Sequence, residues 1–331
     1  MTEIQIPLEW LTSIKDKVVL ITGSSSGIGK ATAHLCLHHG AKVIAGDLYP
    51  LPADFLQHLD QRDEQSYTGA ASTSPSNQVD VSENLMFVQT DVSDWTSLRN
   101  LFIRGVERFG VIDHVFANAG IGPLSNFLEE TFEDKDGGEQ LLAPPDLKVL
   151  DVNLIGVIYT VRLGVYYLRQ TAYGGRGGAE IEPSPCITIS ASASSFQNFS
   201  AGDYTVAKHG VLGILRGLFS DLQQQQLNSG HDGKSPRRVR LNAIAPSWTA
   251  TGIVSSDVLR GLGAHVQKPE DVAKSVVMLC NDSRRNGELI YCWEGRYCEI
   301  NQCEGGLLDG VAKIVPNVAE EGPVMEKLKG R

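Results

Sequence analysis

Short apolar runs and longer amphipathic stretches alternate along most of the chain. The apolar runs are bounded by glycine or polar residues, a pattern typical of strands buried in a parallel sheet. These runs cover residues 17–22, 42–46, 85–90, 111–117, 186–190 and 238–245, with 287–292 as a candidate seventh strand. Apolar positions at helical spacing predict helices over residues 27–40, 95–109, 147–170 and 204–223. Strands that alternate with helices predict an α/β protein with a doubly wound parallel sheet.

Four polar segments interrupt this alternation. They cover residues 51–84, 129–146, 172–185 and 223–236. Such segments bury too little apolar surface to join a sheet, so we interpret all four as surface insertions. The chain is then a single domain over residues 1–331, with its core at about 14–300. The tail, residues 305–331, has weak periodicity and is either a docking segment or disordered.

Charge and cysteine usage exclude several classes of protein. The 331 residues carry a formal net charge of -10, which argues against nucleic acid as a partner because phosphate binding needs clustered Lys and Arg. We find no apolar stretch of about 18 residues that would predict a membrane span, and no signal-peptide pattern in the first residues. The six cysteines include no Cys-x-x-Cys pair. Free thiols in a cytoplasmic protein without a metal site are therefore the favoured interpretation, with Cys36 and Cys186 buried.

A glycine-rich loop follows the first predicted strand. Residues 22–29 read TGSSSGIG, with glycines at Gly23, Gly27 and Gly29. Glycines at these positions allow a tight turn and a close approach of the backbone to a pyrophosphate, which the helix N-terminus then attracts. The order of strand, loop and helix therefore predicts a dinucleotide site, with Ser25, Ser26 and Ile28 in the same loop.

Asp47, at the end of the second predicted strand, bears on the choice of cofactor. A carboxylate there accepts hydrogen bonds from the adenosine ribose and repels a 2′-phosphate. No Lys or Arg stands at residues 24–26 or 48–50 to bind that phosphate. The sequence therefore predicts NAD as the cofactor. Further candidate cofactor contacts follow the third and fourth strands, at Asp91, Val92, Asn118, Ala119 and Gly120.

Tyr204 and Lys208 form a Tyr-x-x-x-Lys pair on a predicted helix. Residues four apart share a helix face, and an ammonium beside a phenol lowers the pKa of that phenol. A phenol with a lowered pKa can remove the proton of an alcohol while hydride leaves the carbon for a nicotinamide. The pair therefore predicts an acid–base group.

Together these motifs resemble the short-chain dehydrogenase/reductase family, with a Rossmann-type fold, over about residues 14–299. The run YTVAKHGVLG at residues 204–213 carries much of the likeness. The resemblance implies that Tyr204 is the acid–base group and that Lys208 binds the nicotinamide ribose. It also implies that Asn153 anchors a proton-relay water, although an Asn satisfied at a helix bend is the alternative. Thr249 and Thr251 would contact the nicotinamide carboxamide.

The position of the family's substrate-orienting serine is open in this sequence. The usual spacing of 13 residues before the tyrosine falls on Ala191, with Ser192 and Ser190 on either side. We expect Ser192 to take the role, because a loop shortened by one residue would place it correctly, and Ser190 is the alternate. The family's Pro-Gly after the sixth strand is Pro246-Ser247 here, and we expect only a local shift from that change.

The predicted substrate is a bulky, apolar secondary alcohol or ketone, such as a secondary-metabolite-, terpenoid-, polyketide- or steroid-like molecule. The sequence most resembles fungal family members that act on secondary metabolites. The expected apolar lining of its pocket is Phe196, Phe199, Trp248, Ile253, Val254 and Leu262. The resemblance also implies a homodimer or homotetramer, which the face with Val161, Val165 and Leu168 would pair. Two alternatives remain: a nucleotide-binding protein without redox turnover, and a cyclase or isomerase on the same scaffold.

Overall fold

The computed structural model describes most of the chain. The described residues are 3–55, 81–135, 139–170, 184–224, 238–253, 255–315 and 327. Most of the predicted insertions at 51–84, 172–185 and 223–236 lie outside the described residues, as does the tail from 316 apart from residue 327. Val254 also lies outside them.

Within the described part of the chain, eight strands form the central sheet, and seven of them are parallel. Their order is β10-β9-β8-β7-β4-β1-β2-β3, with β10 antiparallel to β9 at one edge. The bounds are β1 Val18–Thr22, β2 Lys42–Asp47, β3 Leu85–Gln89, β4 His114–Ala117, β7 Cys186–Ser190, β8 Arg240–Pro246, β9 Leu289–Trp293 and β10 Arg296–Glu299. Successive strands are added outward from β1 to β3 on one side of the sheet and outward from β4 to β10 on the other, so the strand order reverses between β1 and β4. Doubly wound sheets bind their ligands at this point of reversal. The predicted doubly wound parallel sheet is confirmed.

The helices of the described residues cover both faces of this sheet. They are α1 Leu8–Thr12, α2 Gly27–His38, α3 Val81–Asn84, α4 Trp95–Phe109, α5 Lys148–Leu150, α6 Gly156–Arg169, α7 Gly202–Gln224, α8 Ser256–Gly261, α9 Pro269–Asn281 and α10 Leu307–Ile314. One apolar cluster lies beneath α4, α6 and α7, and the other beneath α2 and α9. Burial of the strands on both faces explains why they read as continuous apolar runs.

Two of the expected insertions are more ordered than their composition suggested. The segment 129–146 contains an exposed antiparallel hairpin of β5 Phe132–Lys135 and β6 Glu139–Leu142. At the start of the segment 51–84, Phe55 is buried, with its ring edge-on to that of His34.

In the tail, α10 packs against the first apolar cluster through Leu307. This part of the tail therefore docks onto the core of the domain.

One long helical stretch, Lys148–Arg169, combines α5, a π-helical turn at Asp151–Ile155, and α6. Among the residues the structure describes, it is the one helix long and apolar enough by composition to cross a membrane, a test that a core helix also passes. Its apolar positions Val161 and Leu168 are buried in the core. The expectation that these two side chains pair subunits is therefore wrong, because they pack beneath the sheet.

All six cysteines are free thiols. Cys36 and Cys186 are fully buried, as predicted. Burial raises the pKa of Cys36 to about 12, so its thiol stays protonated at neutral pH. Among the described residues, no group of three His, Cys, Asp or Glu side chains is placed to hold a metal ion.

The fully buried Arg240 ties β8 to the end of α9. Its guanidinium donates to the carbonyls of Leu279, Cys280, Asp282 and Arg285, and also to both the hydroxyl and the carbonyl of Ser184. The last carbonyls of a helix have no partner within the helix, and a cation there also complements the helix dipole.

Candidate active site

The glycine-rich loop between β1 and α2 has a shape that only glycine allows. Gly23 and Gly27 have φ angles of +69° and +50°, the left-handed region that other residues rarely adopt. A Cβ atom on Gly29 would lie 2.0 Å from the carbonyl oxygen of Gly23, so the chain folds too tightly there for any side chain. The turn directs the N-terminus of α2 toward a cavity lined by Gly23, Gly27 and Ile28.

Asp47, the last residue of β2, lines the same cavity. One carboxylate oxygen accepts the backbone N–H of Ser25 at 2.9 Å, and the other accepts that of Tyr49 at 3.0 Å. The hydroxyl of Ser25 donates to the carbonyl of Tyr49 at 2.8 Å. The carboxylate is thus fixed in orientation by the loop that it faces.

The turns after β3 and β4 form the floor of the cavity. Asp91 accepts hydrogen bonds from the backbone N–H and the hydroxyl of Ser93, at 2.9 and 2.6 Å. Asn118 donates its side-chain amide to the carbonyls of Thr22 and Gly23, each at 3.1 Å. Asn118 therefore holds the glycine-rich loop from below.

The loop after β8 closes over the glycine-rich loop. A Cβ atom on Gly27 would lie 2.9 Å from Cβ of Thr251, so the two backbones are in close contact. Thr249 donates its hydroxyl to the carbonyl of Ser247 at 2.8 Å and accepts from the amide of Gln267 at 3.2 Å. The amide of Gln267 also donates to the carbonyl of Cys292 at 2.9 Å, which anchors this loop to β9.

Tyr204 and Ser192 line the same cavity, and the Ser192 hydroxyl is near enough to the phenol to lower the pKa of Tyr204. Ser192 begins a short 3₁₀ turn, Ala193–Ser195, and its hydroxyl also accepts the backbone N–H of Ser194 at 3.2 Å. Ser190 contacts Lys208 through its backbone: its carbonyl accepts a hydrogen bond from Nζ of Lys208 at 2.8 Å. Of the two candidate serines, the structure brings Ser192 to the tyrosine.

Burial dominates the acid–base properties of the pair. It raises the pKa of Tyr204 above its ordinary value of 10.0, against a smaller lowering by the Ser192 hydroxyl. This direction is opposite to the one expected from Lys208. The Nζ atom of Lys208 lies 5.6 Å from the centre of the phenol ring, and burial lowers the pKa of Lys208 itself to about 8.

Asn153 lies in the π-helical turn at Asp151–Ile155 and is fully buried. Its side-chain amide donates to the carbonyl of Ile121 and accepts the N–H of the same residue, both at 2.8 Å. The arrangement matches the alternative of an Asn satisfied at an irregular helix. It also fixes the segment after β4, since Ile121 lines the cavity.

One cavity of about 650 Å³ joins these groups at the carboxyl edge of the sheet. It is lined by the predicted residues Gly23, Ser26, Gly27, Ile28, Asp47, Asp91, Val92, Asn118, Ala119, Gly120, Ser192, Tyr204, Lys208, Thr249 and Thr251. Ser25, Gly29 and Asn153 are not among its lining residues and act through neighbours.

The far end of the cavity differs in part from the prediction. Phe199, Trp248 and Ile253 line it as expected. Phe196 does not line it but packs on the core, with its ring edge-on to that of Tyr291. Leu262 is 79% exposed and does not line it either. Leu259 also lines it, within the segment 248–267 that was expected to wall the pocket. The sequence analysis missed Pro123, Leu124 and Tyr291, which carry no motif and meet only through the fold.

The comparisons with known proteins agree with this geometry. The model of a family described as enoyl-(acyl carrier protein) reductase matches residues 23–292. The protein ascJ of Acremonium egyptiacum, a short-chain dehydrogenase/reductase, is 39% identical over 326 residues, which are 98% of this chain and 93% of ascJ. This chain is a short-chain dehydrogenase/reductase. It is therefore an oxidoreductase that uses a nicotinamide dinucleotide.

More distant members of the short-chain dehydrogenase/reductase family extend the likeness. Human 15-hydroxyprostaglandin dehydrogenase (NAD(+)) is 28% identical over 293 residues, 84% of this chain and 91% of the relative. Levodione reductase shares the fold, with a TM-score of 0.58 at 23% identity over 85% of this chain and 97% of that one. A Mycobacterium marinum family member has a TM-score of 0.60 at 20% identity, over 87% and 98%.

The two ends of the cavity suit different chemistry. The end at Gly23, Gly27 and Asp47 fits a dinucleotide, since it offers a side-chain-free cradle, a helix N-terminus and a fixed carboxylate. The end at Phe199 and Trp248 is apolar. Tyr204 lines the same cavity, and the centre of its ring lies 6.2 Å from that of Phe199.

Proposed function

We propose that this protein interconverts a secondary alcohol and its ketone with NAD as cofactor. The observation that carries the proposal is that Ser192, Tyr204 and Lys208 line one cavity together with Asp47, with Nζ of Lys208 5.6 Å from the centre of the Tyr204 ring. A protein that only bound nucleotide would need the loop and Asp47 but no such acid–base group.

The chemistry at Tyr204 balances in both directions. A bound nicotinamide would take up the hydride, with two electrons, from the carbinol carbon. The phenolate oxygen of Tyr204 takes the hydroxyl proton, so one C–H and one O–H bond break as the C=O bond forms. Ser192 donates a hydrogen bond to the same substrate oxygen and holds it beside the phenol. Because burial raises the pKa of Tyr204, the side chain is a phenol at neutral pH and can protonate a ketone. Alcohol oxidation needs the phenolate, so its rate increases as the pH rises.

Asp47 supports NAD over NADP. Its carboxylate faces the position expected for the adenosine ribose, where it would accept from the hydroxyls and repel a 2′-phosphate. Residues 24–26 and 48–50 contain no Lys or Arg. The human 15-hydroxyprostaglandin dehydrogenase is named as an NAD(+) enzyme, which is in line with the same choice here.

The far end of the cavity supports a bulky apolar substrate. Pro123, Leu124, Phe199, Trp248 and Ile253 line it, and burial of apolar substrate surface against them supplies the affinity. The similarity to ascJ and other fungal family members favours a secondary metabolite.

Substitution of Tyr204 by Phe tests the proposal. The change removes the proton-transferring oxygen and keeps the ring, so we expect turnover of lipophilic secondary alcohols to fall at least about 1,000-fold. The dissociation constants of NAD and NADH, measured by fluorescence and thermal shift, should stay within about twofold.

The dissociation constants of NADP and NADPH for the wild-type protein, measured in the same way, test the choice of cofactor. Tighter binding of NADP(H) than of NAD(H) would contradict the role of Asp47. Retained turnover in Tyr204→Phe would remove that residue as the acid–base group, and absence of binding by all four dinucleotides would favour a non-redox role.

A further inference from the structure

The carboxylate of Asp203 is fully buried directly beside the catalytic tyrosine. Its Oδ2 accepts the backbone N–H groups of Leu124 and Ser125, each at 2.9 Å, and lies 3.5 Å from the hydroxyl of Ser125. Its Oδ1 accepts the backbone N–H of Tyr204 at 2.6 Å. One side chain therefore joins two segments that lie about 80 residues apart in sequence.

Leu124 lines the same cavity as Tyr204. Together with Pro123 it lines the apolar end of the cavity, and we call these two residues the substrate wall. The wall lies in a segment without regular structure between β4 and the exposed hairpin. Besides the ties through Asp203, the hydroxyl of Ser125 donates to the carbonyl of Asp146. Backbone in such a segment has no ladder of hydrogen bonds to hold it, so the carboxylate supplies the missing acceptor.

Asp203 is also well placed to remain ionised. Burial raises its pKa, but the hydrogen bonds from Ser125, Leu124 and Tyr204 outweigh burial and hold it below the ordinary value of 3.8. The residue lies in the first turn of α7, where the helix dipole stabilises an anion. A charged acceptor makes stronger hydrogen bonds than a neutral one.

We propose that Asp203 is a positioning residue that fixes the substrate wall at a set distance from Tyr204, and so sets the affinity for bulky substrates. A substrate long enough to reach Leu124 is held between the wall and the phenol, whereas a small alcohol contacts the phenol alone. The proposal rests on the proposed alcohol–ketone chemistry for its kinetic test, and a binding test makes it separable from that chemistry.

The kinetic test compares two methyl carbinols, propan-2-ol and 4-phenylbutan-2-ol, with the full-length protein. In Asp203→Ala the wall loses its acceptor, and we expect KM for 4-phenylbutan-2-ol to rise tenfold or more. KM for propan-2-ol and the dissociation constant of NAD should stay within about twofold. Asp203→Asn keeps one carbonyl oxygen for the two wall N–H groups and should restore KM for the larger alcohol to within about threefold.

Asp113 provides the matched control. It is a buried aspartate whose carboxylate accepts the backbone N–H of Val18 at 2.9 Å, next to the N-terminal ends of β1 and β4 and away from the cavity. Asp113→Ala should lower the melting temperature without a selective effect on the larger alcohol. Equal losses for both alcohols in Asp203→Ala, or no recovery in Asp203→Asn, would overturn the proposal.

A binding test decides the matter without turnover. In the Tyr204→Phe background with saturating NAD, calorimetry measures the dissociation constant of 4-phenylbutan-2-ol, and adding Asp203→Ala should weaken it about tenfold. If the wild-type protein oxidises neither alcohol but this shift is observed, the proposed redox function fails and the role of Asp203 stands. No binding, or binding that Asp203→Ala leaves unchanged, overturns the role of Asp203.

Discussion

At the scale of single residues, burial raises the pKa of Tyr204 and lowers that of Lys208, so it favours the neutral form of both side chains. Tyr204 and Lys208 are four apart on a helix, so their shared face follows from helix geometry alone. The pKa of Tyr204 depends on burial, which is set by elements distant in sequence. The choice of Ser192 over Ser190 likewise depended on the length of the loop between serine and tyrosine, which spacing alone left open.

The lowered pKa of Lys208 predicts a pH-dependent stability. With a folded pKa of about 8 against 10.5 unfolded, the folded protein releases a proton in this range that the unfolded chain keeps. Stability therefore rises with pH across the window. Relative to Lys208→Met, the wild-type free energy of unfolding should gain about 2 kcal/mol between about pH 7.5 and 9.5.

Urea unfolding of both proteins without cofactor, at several pH values in that range, measures this gain. Other titrating groups are the same in the two proteins and cancel in the difference. A difference that stays constant with pH would show that burial does not shift the Lys208 pKa.

At the scale of elements, the sequence predicted the parallel strands well and missed features that periodicity does not encode. The predicted strands agree with β1 to β4 and β7 to β9 to within about three residues, because each is an unbroken apolar run. The helix α9 was missed. Its apolar run, Val276–Cys280, is buried along its whole length and has no polar face to reveal a helical period. For the π-helical turn at Asp151–Ile155, the sequence offered only the alternative of a bend at Asn153, and the partner of that side chain, Ile121, lies 32 residues away in sequence.

Two Gly→Ala substitutions should have opposite effects. In Gly29→Ala the new Cβ would lie 2.0 Å from the Gly23 carbonyl oxygen, a backbone atom that cannot move without opening the loop. We expect a lower melting temperature and at least about tenfold weaker binding of NAD. Gly213 lies inside α7 with nothing within 4 Å of its Cβ position, so Gly213→Ala should stabilise the protein by up to about 1 kcal/mol.

Thermal melts and NAD titrations of both variants test this pair of predictions. Stability and NAD affinity equal to wild type in Gly29→Ala would mean that the loop opens at little cost. The Gly213 variant then serves to show that a new methyl group alone is harmless.

At the scale of the whole molecule, Arg240 joins parts of the chain that no sequence pattern connects. As the first residue of β8 it reads as an ordinary strand-end cation. In the fold it is fully buried and satisfies carbonyls of α9 and of the residues that follow. Residue type and spacing carry no information on such a contact, which exists only after β7, β8 and α9 have packed.

Arg240→Met should destabilise the protein by roughly 3–5 kcal/mol. The substitution leaves several buried carbonyls without donors, and charged hydrogen bonds are costly to lose. Arg240→Lys keeps the charge with fewer donors and should lose less. Denaturant unfolding measures both values, and a loss below about 1 kcal/mol in Arg240→Met would contradict the anchoring role.

Assembly is the property of the whole molecule for which the sequence analysis chose the wrong side chains. Val161 and Leu168 are core residues, whereas Ile158 and Tyr166 of the same helix are 41% and 58% exposed. Helical periodicity identifies an apolar face without showing whether it meets the sheet or another chain. The predicted homo-oligomer stays a prediction.

Asp47 has a consequence for anyone who would redesign the cofactor preference. Its carboxylate oxygens each already hold one backbone N–H, that of Ser25 in the glycine-rich loop and that of Tyr49 beyond the strand. Asp47, which would exclude the 2′-phosphate of NADP, therefore also holds the glycine-rich loop that would bind the pyrophosphate. Replacement of Asp47 by a small neutral residue would weaken the selectivity for NAD over NADP and would also loosen the loop. A substitution that changes the cofactor preference therefore has to supply new hydrogen-bond acceptors for both N–H groups.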